Sequence, residues 1–269
     1  MRALAKEFNR HIAPAITCED LMPNSSASIW IMEALPSVGY LFTFSSTTVA
    51  KQDTTLIDMA RFYAASWINA QTPVGDTHDF YHTKLMQLSG ALPSRFARVI
   101  ENTNQSLHEI LYHVHWVWTH SDLSDMDILV DPDSGHLTGV IDWADAGIEP
   151  FGIALWGLES VLGSSGPNGW SYFRDDVLSS RKLFREMFLK GIGMSVSVQT
   201  CRAIEEARTL GLLLRYDFFW EDGRVKPTRD TSVLDVFPDC RFWDEPHNAK
   251  PGAQSSASVI SMGSFHYHQ

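Results

Sequence analysis

The segment best equipped for chemistry is His120-Ser121-Asp122-Leu123-Ser124-Asp125-Met126-Asp127-Ile128-Leu129-Val130-Asp131, followed by Val140-Ile141-Asp142-Trp143-Ala144-Asp145-Ala146-Gly147. Ile128-Leu129-Val130 and Thr138-Gly139-Val140-Ile141 are short apolar runs around Asp131-Pro132-Asp133-Ser134-Gly135, whose residue types favour a turn. The two runs therefore read as a β-hairpin, with an acidic loop before it and a further Asp at its far end. That arrangement would let Asp122, Asp127 and Asp142 converge on one point. Converging carboxylates repel one another unless something positive lies between them. A hard divalent cation such as Mg²⁺, completed by phosphate oxygens, meets that need. In phosphoryl transfer one Asp accepts or orients the attacking hydroxyl, and two other oxygen ligands hold metal against the nucleotide phosphates.

The elements that must position these residues can be read from periodicity. Residues 1–12 read as a short helix, with Leu4, Phe8 and Ile12 four apart. Ser28 to Glu33 reads as a strand, with Leu35-Pro36-Ser37-Val38-Gly39 as its exit turn. Asp53 is placed to cap a helix to about Asn69, with Leu56, Ile57, Ala60, Tyr63, Ala64 and Trp67 on one face. A looser stretch leads to a second helical pattern, Pro93 to about Leu111. His113 to Thr119 alternates aromatic and β-branched residues and reads as a strand. Phe151 to Leu162 reads as a buried helix, and two more helices are expected over about 175–191 and 199–216. From about Glu245 the chain turns rich in Ser, Ala, Gly and His and is expected to be disordered.

Charge narrows the classes of partner. The chain has 269 residues and a net charge of −11. From Val99 to Phe173 there are eleven acids and no Lys or Arg, so this stretch carries the whole of it. Such a field repels nucleic acid and favours cations or amine-bearing molecules. No apolar run is long enough to suggest a membrane span, and Met1 to Lys6 lacks the apolar stretch of a secretory signal. Cys18, Cys201 and Cys240 are few and far apart, which speaks against a disulfide framework and fits a reducing, cytoplasmic setting. A rival chemistry is zinc hydrolysis by His113, His115 and His120. On a regular strand residues 113 and 115 share a face that 120 does not, and the hairpin would have no role there.

The pattern His-x-Asp, a hairpin, then Ile-Asp-Trp-x-Asp-Ala resembles the aminoglycoside phosphotransferase-like family, whose fold is protein-kinase-like. Ile128-Leu129-Val130-Asp131 and Gly147-Ile148-Glu149-Pro150-Phe151-Gly152 are similar to its fungal members. Upstream, Trp30-Ile31-Met32-Glu33-Ala34-Leu35-Pro36 is similar to the segment joining the two lobes, and Gly211 to Tyr216 to a late helix of the C-lobe. The resemblance implies an α+β fold and an ATP- and Mg²⁺-dependent phosphotransferase acting on a small-molecule hydroxyl, the acceptor being cationic or polar. It implies Asp122 as catalytic base, His120 as the brace of its loop, Asp142 and Asp127 as metal ligands, and backbone groups of Met32 and Glu33 against the nucleotide. Asp145 matches a second acid of the motif.

The chain also departs from the pattern. Asp127 stands where the family has Asn, and Ser121 where it usually has Gly. The residues before Ser28 contain no Gly and a single Lys, Lys6, so the Gly-rich loop and strand Lys of an N-lobe are not recognised there; the opening helix resembles a remnant of the N-lobe helix, with Glu7 matching its ion-pairing Glu. The expected division is therefore 1–36 as N-lobe remnant and hinge strand, 37–244 as C-lobe and 245–269 as tail. A non-catalytic pseudokinase-type binding protein, or a degenerate or truncated product, is the alternative to an active enzyme.

Overall fold

A computed structural model describes residues 18–20, 30–32, 37–43, 47–73, 75, 77–166, 169–216, 218–221, 224–227 and 235. The helix expected over residues 1–12, Glu33 and the tail from Glu245 lie outside the described residues. The class is α+β, as the resemblance implied.

Strand β1 (Cys18–Asp20) pairs antiparallel with β2 (Trp30–Met32), Cys18 opposite Met32. β1 was not expected; three residues of Cys-Glu-Asp carry no periodic signal. A short strand, β3 (Val38–Gly39), leads into a 3-10 turn, Tyr40–Thr43. Helix α1 (Val49–Ile68) starts four residues before the expected cap. Thr48, in extended backbone, accepts from the Lys51 N–H at 3.3 Å and caps it. Asp53 instead lies within the helix and pairs with Arg174 at 2.5 Å.

The inner face of α1 buries Leu56, Met59, Ala60, Tyr63, Ala64 and Trp67. It packs on α6 (Val177–Ile192), where Phe184 and Phe188 meet Tyr63 and Trp67 edge-on at 5.7 and 6.1 Å. This contact belongs to the larger of two apolar clusters. The smaller is built by α2 (Thr77–Ala91), α3 (Ala97–Gln105), α4 (Leu107–His113) and α7 (Val198–Tyr216), around Tyr81, Leu85, Leu88, Ile100, Leu107 and Leu210.

Two expectations fail in this helical region. α2 fills the stretch read as loose, because only Tyr81, Leu85 and Leu88 mark its buried stripe among polar neighbours. The single helix expected over 93–111 is a 3-10 turn, Ser94–Phe96, then α3 and α4 divided at Ser106.

α4 runs to His113, so the next strand, β4, is only Trp116–Thr119. The hairpin expected around Asp131 is present as β5 (Ile128–Val130) and β6 (Leu137–Val140), with a register shift between Leu129 and Val130. Asp131 builds its turn: its Oδ1 accepts from the Asp133 N–H at 2.8 Å, and its carbonyl accepts from the Gly135 N–H at 2.8 Å. Asp58 of α1 secures the turn from outside, its Oδ2 bonded to His136 Nδ1 at 2.7 Å and accepting from the Leu137 N–H at 3.2 Å. β3 joins β5 on the other side, giving the order β3-β5-β6. β4 pairs with β7 (Gly147–Pro150), Thr119 opposite Gly147. The ends of these two small sheets hold the acidic loops.

The segment expected as one buried helix is buried, but it is a 3-10 helix, Ile153–Leu158, followed by a single α turn, α5 (Glu159–Leu162). Strands β8 (Gly163–Gly166) and β9 (Gly169–Tyr172) then form a second hairpin, and β10 (Phe218–Glu221) and β11 (Arg224–Pro227) a third. Glu159 is fully buried and holds two arginines, Arg181 Nη2 at 2.8 Å and Arg208 Nη2 at 2.5 Å. Arg181 also donates to Tyr172 Oη at 2.9 Å, and Arg208 pairs with Glu205 at 3.3 Å. The cluster thereby ties α5, β9, α6 and α7 together.

α7 crosses the 3-10 helix at Gly211, where a Cβ would overlap the Ile153 carbonyl. Gly211→Ala is therefore expected to destabilise the protein by about 1–3 kcal/mol, because added volume in a filled interface forces the backbones apart. Urea denaturation with an unchanged m-value would read this, whereas a stabilised variant would show that the crossing has slack.

Candidate functional site

The acidic loop is stitched to the end of the hairpin through one imidazole. His120 is 3% exposed. Its Nδ1 accepts the Asp122 N–H at 3.3 Å, and its Nε2 donates to the Ile141 carbonyl at 2.7 Å. A carbonyl can only accept, so Nε2 carries the proton and Nδ1 is free to accept. Trp143 fixes the ring, edge-on at 4.9 Å, and its own Nε1 donates to the Val140 carbonyl at 2.9 Å. The Ile141 N–H donates to the Asp127 carbonyl at 3.0 Å. Three short segments, those of Asp122, Asp127 and Asp142, are in this way joined by main-chain and imidazole hydrogen bonds.

Their carboxylates behave individually. Asp122 is half exposed and reaches away from the hairpin, its Oδ1 2.6 Å from Arg215 Nη2 at the end of α7. Asp127 Oδ2 accepts from both the N–H (2.9 Å) and the hydroxyl (2.6 Å) of Ser124. That turn fixes the side chain and uses one of its two oxygens. Asp142 is exposed, and its φ of 59° makes it the one non-glycine residue with positive φ among the described residues. Left-handed backbone costs an ordinary side chain about 1–3 kcal/mol and persists where the surroundings impose it. Here the Ile141 main chain is held on both sides, by His120 and by Asp127.

The three-way convergence expected from the sequence is not found. Among the described residues no three His, Cys, Asp or Glu side chains gather as a metal cluster. Asp122 has turned to a cation and Asp127 to Ser124, each satisfied locally. The zinc arrangement has no support either, since His113 closes α4 and bonds Gln199 at 2.9 Å, while His115 stacks on Trp67 at 4.2 Å. Asp145 is exposed, and Met32 ends β2. The neighbouring Asp125 has its carboxyl raised, mainly by burial, with the charge of Asp127 adding to it.

Beside Asp122 lies an open pocket of about 320 Å³ between α2, β4, β7, the 3-10 helix and α7. Ser121 and Thr119 are on its loop side, Tyr81, Ile153 and Leu214 form its apolar wall, and Glu149 lies within it. Burial pushes the Glu149 carboxyl up to about 7, and its Oε2 has no hydrogen-bond partner among the described residues. The sequence reading missed Arg215, Lys84 and Phe80 as residues of this site. Arg215 had one available signal, a lone charge ending the apolar run Gly211-Leu212-Leu213-Leu214.

Known proteins were compared with this arrangement. The model of the Phosphotransferase enzyme family matches residues 55–166, which include His120, Asp122, Asp127, Asp142 and Glu149. The resemblance read from the motif holds over that span. Similar solved structures include a macrolide 2'-phosphotransferase type I, 13% identical, with 79% of this chain and 70% of that chain covered and a TM-score of 0.48. A choline kinase from Cryptosporidium parvum Iowa II is 13% identical, with 79% and 68% covered and a TM-score of 0.46. An aminoglycoside 2'-phosphotransferase-IIIa in its GDP complex is 14% identical, with 78% and 73% covered and a TM-score of 0.47. No curated protein matches the chain. Among the described residues no helix is long and apolar enough to cross a membrane.

Proposed function

We propose that this chain, carrying the phosphotransferase family pattern over residues 55–166, transfers the γ-phosphoryl group of ATP to the hydroxyl of a small molecule. The observation that carries the reading is the imidazole of His120, bonded at once to the Asp122 segment and to the residue before Asp142. Phosphoryl transfer asks for positioning more than for covalent chemistry, and a fixed relation between base and metal ligand is positioning of that kind. Asp122 is the group that accepts or orients the hydroxyl proton. His120 holds the Asp122 segment in register and touches no substrate itself. Asp142 and the second oxygen of Asp127 are the residues that would hold Mg²⁺. Their donor set fits, because Mg²⁺ takes one or two carboxylates and completes its shell with phosphate and water. When bound, the ion supplies neutralisation of phosphate charge. The main chain at Met32 and Glu33 is assigned to the nucleotide.

The second reading is a non-catalytic binding protein, and the Asp122–Arg215 ion pair favours it, since it occupies the base. Thermal melting with Mg²⁺ATP addresses both. At a hundredfold excess over Kd, ligation stabilises the folded state by about 2.7 kcal/mol, a rise of several degrees in Tm. No shift at millimolar nucleotide would refute nucleotide-dependent transfer. A shift without phosphorylation of any hydroxyl acceptor would establish the second reading.

A further inference from the structure

Helix α2 carries two histidines one turn apart, His78 and His82, that the phosphotransferase reading does not use. Their rings are near-parallel, 12° apart, with centroids separated by 6.2 Å. Residues at i and i+4 of a helix are neighbours on its surface, the spacing at which two imidazoles can grip one ion. His82 is fixed from a second helix, its Nδ1 lying 2.7 Å from Asn104 Oδ1 of α3. An amide oxygen only accepts, so in the neutral ring Nδ1 carries the proton and Nε2 keeps its lone pair. A metal-ligating histidine is held in the same way, its other nitrogen donating to an oxygen that sets tautomer and orientation. The His78 side chain is half exposed, and its Nδ1 lies 3.5 Å from Asp79 Oδ1. Neither Nε2 has a partner among the described residues. The other described histidines are committed elsewhere: His108 to Tyr112, His113 to Gln199, His115 to Trp67, His120 to the Ile141 carbonyl and His136 to Asp58.

We propose that the first two turns of α2 bind a divalent transition-metal ion of the zinc class through Nε2 of His78 and Nε2 of His82. His82 is the anchored ligand, and the half-exposed His78 ring turns to meet the ion. Zn²⁺, Ni²⁺ and Cu²⁺ suit imidazole, whereas Mg²⁺ prefers oxygen, so this site is chemically separate from the Mg²⁺ ligands assigned above. No third His, Cys, Asp or Glu gathers with the pair among the described residues, and water or an exchangeable ligand completes the shell. Asp79, in the first turn, supplies negative charge beside a cation that the positive end of the helix would otherwise repel. Bound there, the ion ties the first turn of α2 to the second, in a helix that also brings Phe80, Tyr81 and Lys84 to the pocket. Nothing in this assignment depends on the phosphotransferase reading.

Calorimetric titration of the full chain with Zn²⁺ tests this, with His266→Gln and His268→Gln in every sample so that the terminal His-x-His contributes nothing. A single tight site is expected, in a titration that millimolar Mg²⁺ leaves unchanged. Asn104→Ala keeps both ligands and is expected to weaken binding about tenfold, the lower end of what the loss of an orienting partner costs. His78→Gln and His82→Gln remove a ligand outright, so each is expected to weaken binding by at least about tenfold as well. Asn104→Asp offers Nδ1–H a stronger acceptor and is expected to bind Zn²⁺ more tightly than the parent. Undiminished binding in either histidine variant, or no binding below millimolar Zn²⁺, would overturn the site. Weaker binding by Asn104→Asp than by Asn104→Ala would overturn His82 as the anchored ligand. Because His78 is half exposed, its replacement leaves the packing of α2 intact, and lost binding there reads the ligand and not the fold.

Discussion

On the proposed function, Asp122→Ala is expected to lower kcat/KM for phosphoryl transfer by about 10²–10⁴-fold, the contribution of a positioned general base, and to leave Tm nearly unchanged. The two halves of this prediction have separate grounds. On the proposed reading Asp122 is the group that accepts or orients the hydroxyl proton, and it follows Ser121, which lines the neighbouring pocket. Its ion-pair partner among the described residues is Arg215, and both side chains are partly exposed, 52% and 38%. An ion pair so open to solvent is worth about 0–1 kcal/mol. Arg215 also keeps its place against Trp156 after the substitution. The main-chain bond from Asp122 to His120 does not involve the carboxylate and survives as well. Steady-state kinetics on the purified variant, beside its melting curve, would test this. Unaltered turnover would move the base to another group, and a collapsed melting curve would make Asp122 structural.

Glu159→Ala has the opposite profile. It is expected to cost about 3–5 kcal/mol of stability, the usual result of removing one partner from a buried charge cluster. Glu159 is wholly buried, and Arg181 and Arg208 are 3% and 2% exposed. Without the carboxylate two guanidinium groups would face each other out of water, with Glu205 beside only one of them. The damage should spread, because the cluster joins α5, β9, α6 and α7. Chemical denaturation gives the magnitude, and a loss below about 1 kcal/mol would mean that water reaches the arginines and replaces the carboxylate. A triple replacement of Glu159, Arg181 and Arg208 by apolar residues of similar volume is expected to be much milder than the single one, since the most deeply buried charges go together and the acid that loses Arg208, Glu205, is 13% exposed.

The hairpin that carries the candidate site was legible because its signals are local. The turn at Asp131 to Gly135 needs only neighbouring residues, and Ile128 to Val130 is a short apolar run bounded by acids. The start of α1 was misread because Asp53 and Thr48 are both good capping types, and only the approach of Arg174 decides between them. α2 was missed because its buried stripe is three residues wide, and one of the helices in its cluster, α7, lies more than a hundred residues further along the chain. The 3-10 geometry of Ile153–Leu158 answers to Gly152, with φ of 111°, and to the close approach of Leu123 to Gly157, neither of which has a sequence period. Arg215 and Lys84 entered the site by the same long-range route.

The left-handed backbone at Asp142 limits how this position can change over generations. Asn and Gly tolerate that conformation best, whereas Val, Ile or Thr would meet both the steric barrier and a stiff side chain. A lineage that abandons catalysis should therefore lose its carboxylate here through Asn or Gly before any branched residue, so the path of decay is written into the main chain, independent of selection on the reaction itself.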